Sequence, residues 1–158
     1  MDKITSFTIN HLKLLPGIYV SRKDTAGGHT VTTFDLRMTR PNYEPVINTA
    51  EIHTIEHLGA TFLRNHRDYG SRVLYFGPMG CQTGFYLLVR SAEHDLVYQV
   101  VLDVLKQIIE HKGAVFGASR KECGHSENLN LENAIKECKT YKKVLEARPA
   151  HYQYPGEK

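Results

Sequence analysis

Between Asn48 and His66 apolar residues recur at helical intervals, while two histidines and a glutamate gather on a neighbouring face. Ile52, Ile55, Gly59 and Phe62, widened by Leu58 and Leu63, make the stripe. Asn48-Thr49-Ala50-Glu51 has capping-box spacing, which predicts a helix from there to about His66. In His53-Thr54-Ile55-Glu56-His57 the histidines sit four residues apart, roughly 40° around a helix axis, so both imidazoles reach one ion from the same side. Glu56 stands beside that pair, where a carboxylate can act as a base or orient a ligand. The same helix can therefore bury one side and offer ligands on another.

The rest of the chain supplies partners for the stripe. Val31–Met38 alternates: Thr32, Phe34, Leu36 and Met38 point one way, and Val31, Thr33, Asp35 and Arg37 the other. That pattern is a half-buried strand. Further strands are predicted near Gly17–Ser21, at Val73–Gly77 and at Thr83–Arg90, the last two around the turn-rich Gly77-Pro78-Met79-Gly80-Cys81. Ser91 can cap a helix from Ala92 to His111, which turns Val97, Val100, Val101, Val104, Leu105 and Ile108 inward and is closed by Gly113. Ala114–Ser126 reads as irregular. A last helix is expected from about Leu131 to Leu145, buried through Leu131, Ala134, Ile135, Cys138 and Tyr141. The polar end, about residues 150–158, is expected to fray. No repeat or linker divides the chain. Antiparallel strands mixed with helices, without regular βαβ alternation, predict one α+β domain, a two-layer sandwich with a mainly antiparallel sheet packed on helices.

Composition narrows the class of function. Twenty basic residues against seventeen acidic ones leave a net charge of +3, too balanced to argue for nucleic acid or a lipid surface. No apolar run is long enough for a membrane span, Met1–Asn10 is not a secretory signal, and there is no glycine-rich phosphate loop. Three cysteines, an odd number, read as reduced thiols in a cytoplasm. Nine histidines invite a search for metal or proton chemistry.

Two ligands do not make a site. Cys123, in the polar stretch Lys121-Glu122-Cys123-Gly124-His125, is the best third, and a His₂Cys set leaves a coordination position open for water or substrate. Cys81 is either a thiol presented for acid–base or nucleophilic work by its glycine-flanked turn or a buried thiol at a strand start. Cys138 lies on an apolar stripe and reads as core. Arg37 shares a strand face with Asp35, as a solvent-side ion pair or an oxygen-binding group. His29, His66, His94, His111, His125 and His151 have no partner at ligand spacing and read as surface residues.

With His53-Thr54-Ile55-Glu56-His57, Gly77-Pro78-Met79-Gly80-Cys81-Gln82-Thr83-Gly84-Phe85-Tyr86 and Lys121-Glu122-Cys123-Gly124 in order, the chain resembles the S-ribosylhomocysteine lyase (LuxS) family over nearly its whole length. The resemblance implies a cytoplasmic homodimer with two equivalent sites at the subunit interface. It implies Fe²⁺, one per subunit, with Zn²⁺ or Co²⁺ able to substitute. The implied reaction cleaves S-ribosylhomocysteine to homocysteine and 4,5-dihydroxy-2,3-pentanedione, the autoinducer-2 precursor of quorum sensing, by moving a carbonyl along the ribose and then eliminating the thiol. On the matching positions His53, His57 and Cys123 are metal ligands, Cys81 and Glu56 the acid–base pair, and Ser6, His11 and Arg37 substrate contacts. The chain departs from the family pattern at Thr39-Arg40-Pro41-Asn42, Tyr75-Phe76-Gly77 and His125-Ser126, which bears on fine substrate contacts. Two other readings use the same residues: an inverted zincin peptidase with Glu132 or Glu137 as third ligand, and a metal-binding or sensing module with a closed coordination sphere.

Overall fold

The structure, a computed structural model, describes residues 1–148 and 152–156. Four antiparallel strands, β1 (Gly17–Ala26), β2 (His29–Arg37), β3 (Val73–Pro78) and β4 (Gly84–Arg90), form one sheet in the order β1-β2-β4-β3. Three helices, α1 (Thr49–Arg64), α2 (His94–Glu110) and α3 (Leu131–Ala147), form the second layer, α1 against β3 and α3 against β1. The α+β two-layer arrangement is the expected one.

The strand pattern explains the layering. Phe34 and Leu36 of β2, Phe85, Leu87 and Val89 of β4 and Phe76 of β3 turn toward the helices. There they meet Ile55, Leu58 and Leu63 of α1, Val101, Val104 and Ile108 of α2, and Ala134 and Cys138 of α3. Each such side chain taken from water contributes about 1.5–3 kcal/mol for the larger apolar residues. Burial pushes the Cys138 thiol up to about 12, with Glu137 adding to the effect, in keeping with a core role.

Several boundaries differ from expectation, each for a local reason. β1 runs to Ala26 and β2 begins at His29 because Gly27 and Gly28 both take positive φ (57° and 77°). This is the two-residue hairpin turn that a Gly-Gly pair permits. Ser91 does not cap α2. Its φ of 50° puts it in the turn after β4, and Glu93 holds the N-cap position. The Asn48/Glu51 box does not close: the N-cap makes no side-chain bond to the backbone, and the buried Glu51 accepts from Asn133 Nδ2 of α3 at 3.2 Å. Leu131 and Ile135 are half-buried rather than buried.

The largest departure concerns the sheet's other face. Asp35 and Arg37 do not face solvent; their side chains are 0% and 2% exposed. The N-terminal segment and the chain end cover them. Ile9 and Leu14 pack with Tyr19 and Tyr154 in a second apolar cluster, and Tyr154 stacks on Tyr19 with ring centroids 5.1 Å apart. Val20 N–H donates to the Tyr152 carbonyl at 2.7 Å, so the chain end lies along the β1 edge. Over residues 152–156 the expected fraying therefore gives way to packing, while residues 149–151 and 157–158, with His151, lie outside the described residues.

Candidate metal centre

Helix α1 presents His53 and His57 to the loop between α2 and α3. His53 Nδ1 lies 2.8 Å from the Asn128 carbonyl and His57 Nδ1 lies 2.7 Å from the Phe116 carbonyl. A carbonyl only accepts, so both Nδ1 atoms carry the proton and both Nε2 atoms keep their lone pair. The carbonyls are themselves held. Phe116 packs edge-on against Phe62 and His111, and Thr54 Oγ1 accepts the Asn130 N–H at 2.8 Å, tying the loop to α1.

The same loop brings in Cys123. Its Sγ lies 3.3 Å from His53 Nε2, and the ligand atoms of His53, His57 and Cys123 all fall within 4.8 Å of one another. The His125 backbone N–H points at the sulfur at 3.4 Å, which suits a charged thiolate. Two imidazole lone pairs and one sulfur on a half-buried face fit a divalent transition ion, one donor short of a closed tetrahedral set. Neither Glu132 nor Glu137 joins them. Glu132 is exposed and pairs with Lys136 at 2.8 Å. Glu137, on α3, is raised by burial and by the neighbouring Glu51. The third donor is sulfur, so the peptidase reading has no carboxylate ligand to rest on.

A second cluster lies at the far face of the sheet. The turn Met79–Thr83 is pinned by reciprocal bonds to Ile47: Ile47 N–H donates to the Gln82 carbonyl and Gln82 Nε2 to the Ile47 carbonyl, at 3.0 and 3.1 Å. Gln82 takes φ 60°, a strained value for a residue with a side chain. Cys81 is exposed on this turn. Arg37 Nη1 faces its sulfur at 3.7 Å and donates to Thr83 Oγ1 at 2.7 Å. Thr83 Oγ1, already accepting from Arg37, lies 3.1 Å from the sulfur and can turn its proton there. A cation and a hydroxyl thus converge on Cys81, the surroundings that complement a thiolate. Burial works against the Arg37 charge, but the Asp35 carboxylate outweighs it and holds the guanidinium above its ordinary range.

A family profile for S-ribosylhomocysteinase (LuxS) matches residues 4–151. The chain belongs to this family. It is 55% identical over 136 residues to an S-ribosylhomocysteine lyase of Clostridium beijerinckii, covering 85% of each chain. It is 46% identical over 158 residues to one of Borreliella afzelii, covering 98% of this chain and all of the relative. A third, from Desulfotalea psychrophila, is 47% identical over 143 residues, 89% of each chain.

Of the residues singled out from the LuxS resemblance, the structure brings His53, His57 and Cys123 into one cluster and Arg37 and Cys81 into another. Glu56 is half-buried on α1 between the two histidines in sequence. Ser6 sits in the short helical turn Thr5–Phe7, and His11 Nδ1 meets the Ile9 carbonyl at 3.0 Å. Among the described residues no hydrogen bond or ion pair links Glu56, Ser6 or His11 to either cluster. A cleft of about 870 Å³ at the β1 edge, between Lys23, His94 and Tyr152, is lined by none of these eight residues. The expected ion pair of Asp35 with Arg37 forms, but buried rather than on the solvent side, and Thr83 and Tyr154 carry no signal in the sequence. Their roles depend on pairing Arg37 with Gly84 across the sheet and on the return of the chain end. His94, expected at the surface, is half-buried with its ring 5.6 Å from Phe34 and 4.7 Å from Tyr152.

Proposed function

We propose that this chain is an S-ribosylhomocysteine lyase that cleaves S-ribosylhomocysteine to homocysteine and 4,5-dihydroxy-2,3-pentanedione. The observation that carries it is the convergence of His53 Nε2, His57 and Cys123 Sγ, with each histidine's other nitrogen committed to a carbonyl. We assign Fe²⁺, one per subunit, with Zn²⁺ or Co²⁺ as substitutes, on the donor set of two imidazoles and a thiolate. A divalent ion held there supplies Lewis acidity toward sugar oxygens.

The protein's own residues do the proton work. Cys81, as thiolate, takes a proton from the carbon beside the carbonyl and returns it to the former carbonyl carbon, so the carbonyl shifts by one position, twice. Glu56 takes the last proton, and the carbon–sulfur bond breaks as the electron pair leaves on homocysteine sulfur. Each positioned base contributes about 10²–10⁴-fold. Ser6, His11 and Arg37 hold sugar oxygens in place. Arg37 and Cys81 belong to the far face of the sheet and the metal ligands to the helix side, and among the described residues no hydrogen bond or ion pair links the two groups. A homodimer with sites at the subunit interface accounts for both, the second copy bringing its far face to the first copy's metal ligands. Ile4, Phe7, Leu12, Tyr43, Val46 and Tyr75 are exposed apolar residues that such an interface would cover.

No helix among the described residues is long and apolar enough to cross a membrane. We place the enzyme in the cytoplasm, where its three free cysteines stay reduced. The test is an anaerobic assay of purified protein with S-ribosylhomocysteine, reading released homocysteine with a thiol reagent alongside metal analysis. Stoichiometric metal with no thiol release would overturn the lyase reading and leave a metal-binding module.

A further inference from the structure

We propose that Tyr154 is a positioning residue, which reaches back from the chain end to hold the Asp35 carboxylate and through it sets the Arg37 guanidinium beside Cys81. The proposal rests on the assignment of Arg37 and Cys81 to the lyase site.

Asp35 is the hub. Its Oδ1 accepts from Arg37 Nε at 3.1 Å and its Oδ2 from Arg37 Nη2 at 2.6 Å, a two-pronged grip that fixes the plane of the guanidinium. The remaining nitrogen, Nη1, is thereby aimed at Thr83 Oγ1 and Cys81 Sγ. Whichever way the carboxylate turns, Nη1 must follow. One further group holds the carboxylate among the described residues: Tyr154 O–H, which donates to Oδ2 at 2.8 Å. Asp35 is wholly buried, so no water replaces that donor freely. Loss of the hydroxyl leaves Asp35 held by Arg37 alone, so the two can turn together as a unit and carry Nη1 away from the sulfur.

Tyr154 is well placed to resist such rotation. It is 3% exposed, its ring stacks on Tyr19 at an interplanar angle of 15°, and Tyr19 O–H is itself tied to the Leu15 carbonyl at 2.8 Å. Two residues earlier, the Tyr152 carbonyl accepts from Val20 N–H and the Tyr152 hydroxyl donates to the His94 carbonyl at 2.8 Å. Burial, then the Asp35 charge and hydrogen bond, raise the Tyr154 phenol well above its ordinary range. It therefore stays a donor throughout the neutral range.

The test is a substitution cycle on metal-loaded full-length protein, using Tyr154→Phe, Arg37→Lys and the double variant. Tyr154→Phe keeps the ring stack and removes only the hydroxyl. The readout is the rate at which iodoacetamide alkylates Cys81 at neutral pH, followed on its peptide by mass spectrometry. Protection of the buried Cys138 checks that the fold is intact. Tyr154→Phe is expected to slow Cys81 alkylation three- to tenfold, to lower kcat by a similar factor, and to do nothing further in the Arg37→Lys background. Alkylation of Tyr154→Phe at the wild-type rate overturns the proposal. So does an effect that persists undiminished when Arg37 is replaced, because Tyr154 would then act on stability alone. If Arg37→Lys does not fold, the rate in the single Tyr154→Phe variant decides. Alkylation needs no substrate, so a chain that releases no homocysteine fails as a lyase without touching this result.

Discussion

Cys123 Sγ lies 3.3 Å from His53 Nε2 across seventy residues of sequence. That closure depends on the loop between α2 and α3 folding back on α1, where it surrenders two carbonyls to the histidine Nδ1 protons. The loop thus supplies both the third donor and the orientation of the first two. Metal affinity and loop order are consequently one property.

Cys123→Ala should abolish stoichiometric metal and turnover together, as should His57→Ala. If Cys81 acts as the proposed base and takes no part in the His53–His57–Cys123 cluster, Cys81→Ala should retain the metal and lose about 10²–10⁴-fold in kcat. Metal analysis of the purified variants beside the homocysteine assay separates these outcomes. Normal turnover by Cys81→Ala would refute its role as base.

Thr54 is wholly buried, donates to the Ala50 carbonyl at 2.7 Å and accepts the Asn130 N–H at 2.8 Å. Thr54→Val conserves shape but strands that N–H, at about 1–3 kcal/mol. Asn130 is two residues from the carbonyl that orients His53, so metal affinity should fall about tenfold or more as well. Urea unfolding and competition with a chelator measure the two losses. A stability change without any change in affinity would show that the loop is held elsewhere.

Much of this arrangement was legible from local rules. The spacing of His53 and His57 fixes their common face because a helix leaves little freedom at i and i+4, and Cys123 stood out as a thiol in polar, irregular chain. The alternation of Phe34 and Leu36 correctly identified the face of β2 that meets the helices. The same alternation misled at Asp35 and Arg37. A charged face reads as solvated unless distant segments return to cover it, and Tyr154 sits in a tail whose composition is polar. Thr83 was unremarkable for a similar reason: its hydroxyl acquires a purpose only when β2 and β4 pair and Arg37 arrives beside it. Local periodicity shows which way a side chain points and not what will come to meet it.

Gly59 sets how closely α1 approaches the sheet. A Cβ there would stand 2.5 Å from Phe76 Cε1 and 3.0 Å from its Cζ. Phe76 has little room to yield, since its ring is stacked on Phe85 at 4.9 Å and 8°. Alanine improves helix propensity by about 1 kcal/mol, yet overpacking costs about 1–3 kcal/mol. Gly59→Ala should therefore be neutral to destabilising by up to about 2 kcal/mol, and should weaken metal binding if α1 is displaced. Chemical denaturation is the check, and a clear gain in stability would mean that Phe76 repacks freely.

Acid should weaken the fold partly through His94. Its ring stands edge-on to Phe34 and against Tyr152, and burial first, then the charge of Lys23, lower its pKa against a smaller opposing effect of Asp95. The folded protein thus prefers the neutral ring more than the unfolded chain does. As pH falls through about 6.5 the unfolded chain takes up this proton first. The stability contributed by neutral His94 is complete above that pH and is lost as pH drops toward and through the folded-state value. His94→Phe retains an aromatic ring at the same place and cannot titrate. Its stability should decline less steeply than the wild type's between pH 7 and 5, measured by urea unfolding at matched ionic strength. Other histidines titrate in both proteins, so the difference in slope isolates His94. Parallel declines would assign the acid sensitivity to the remaining groups.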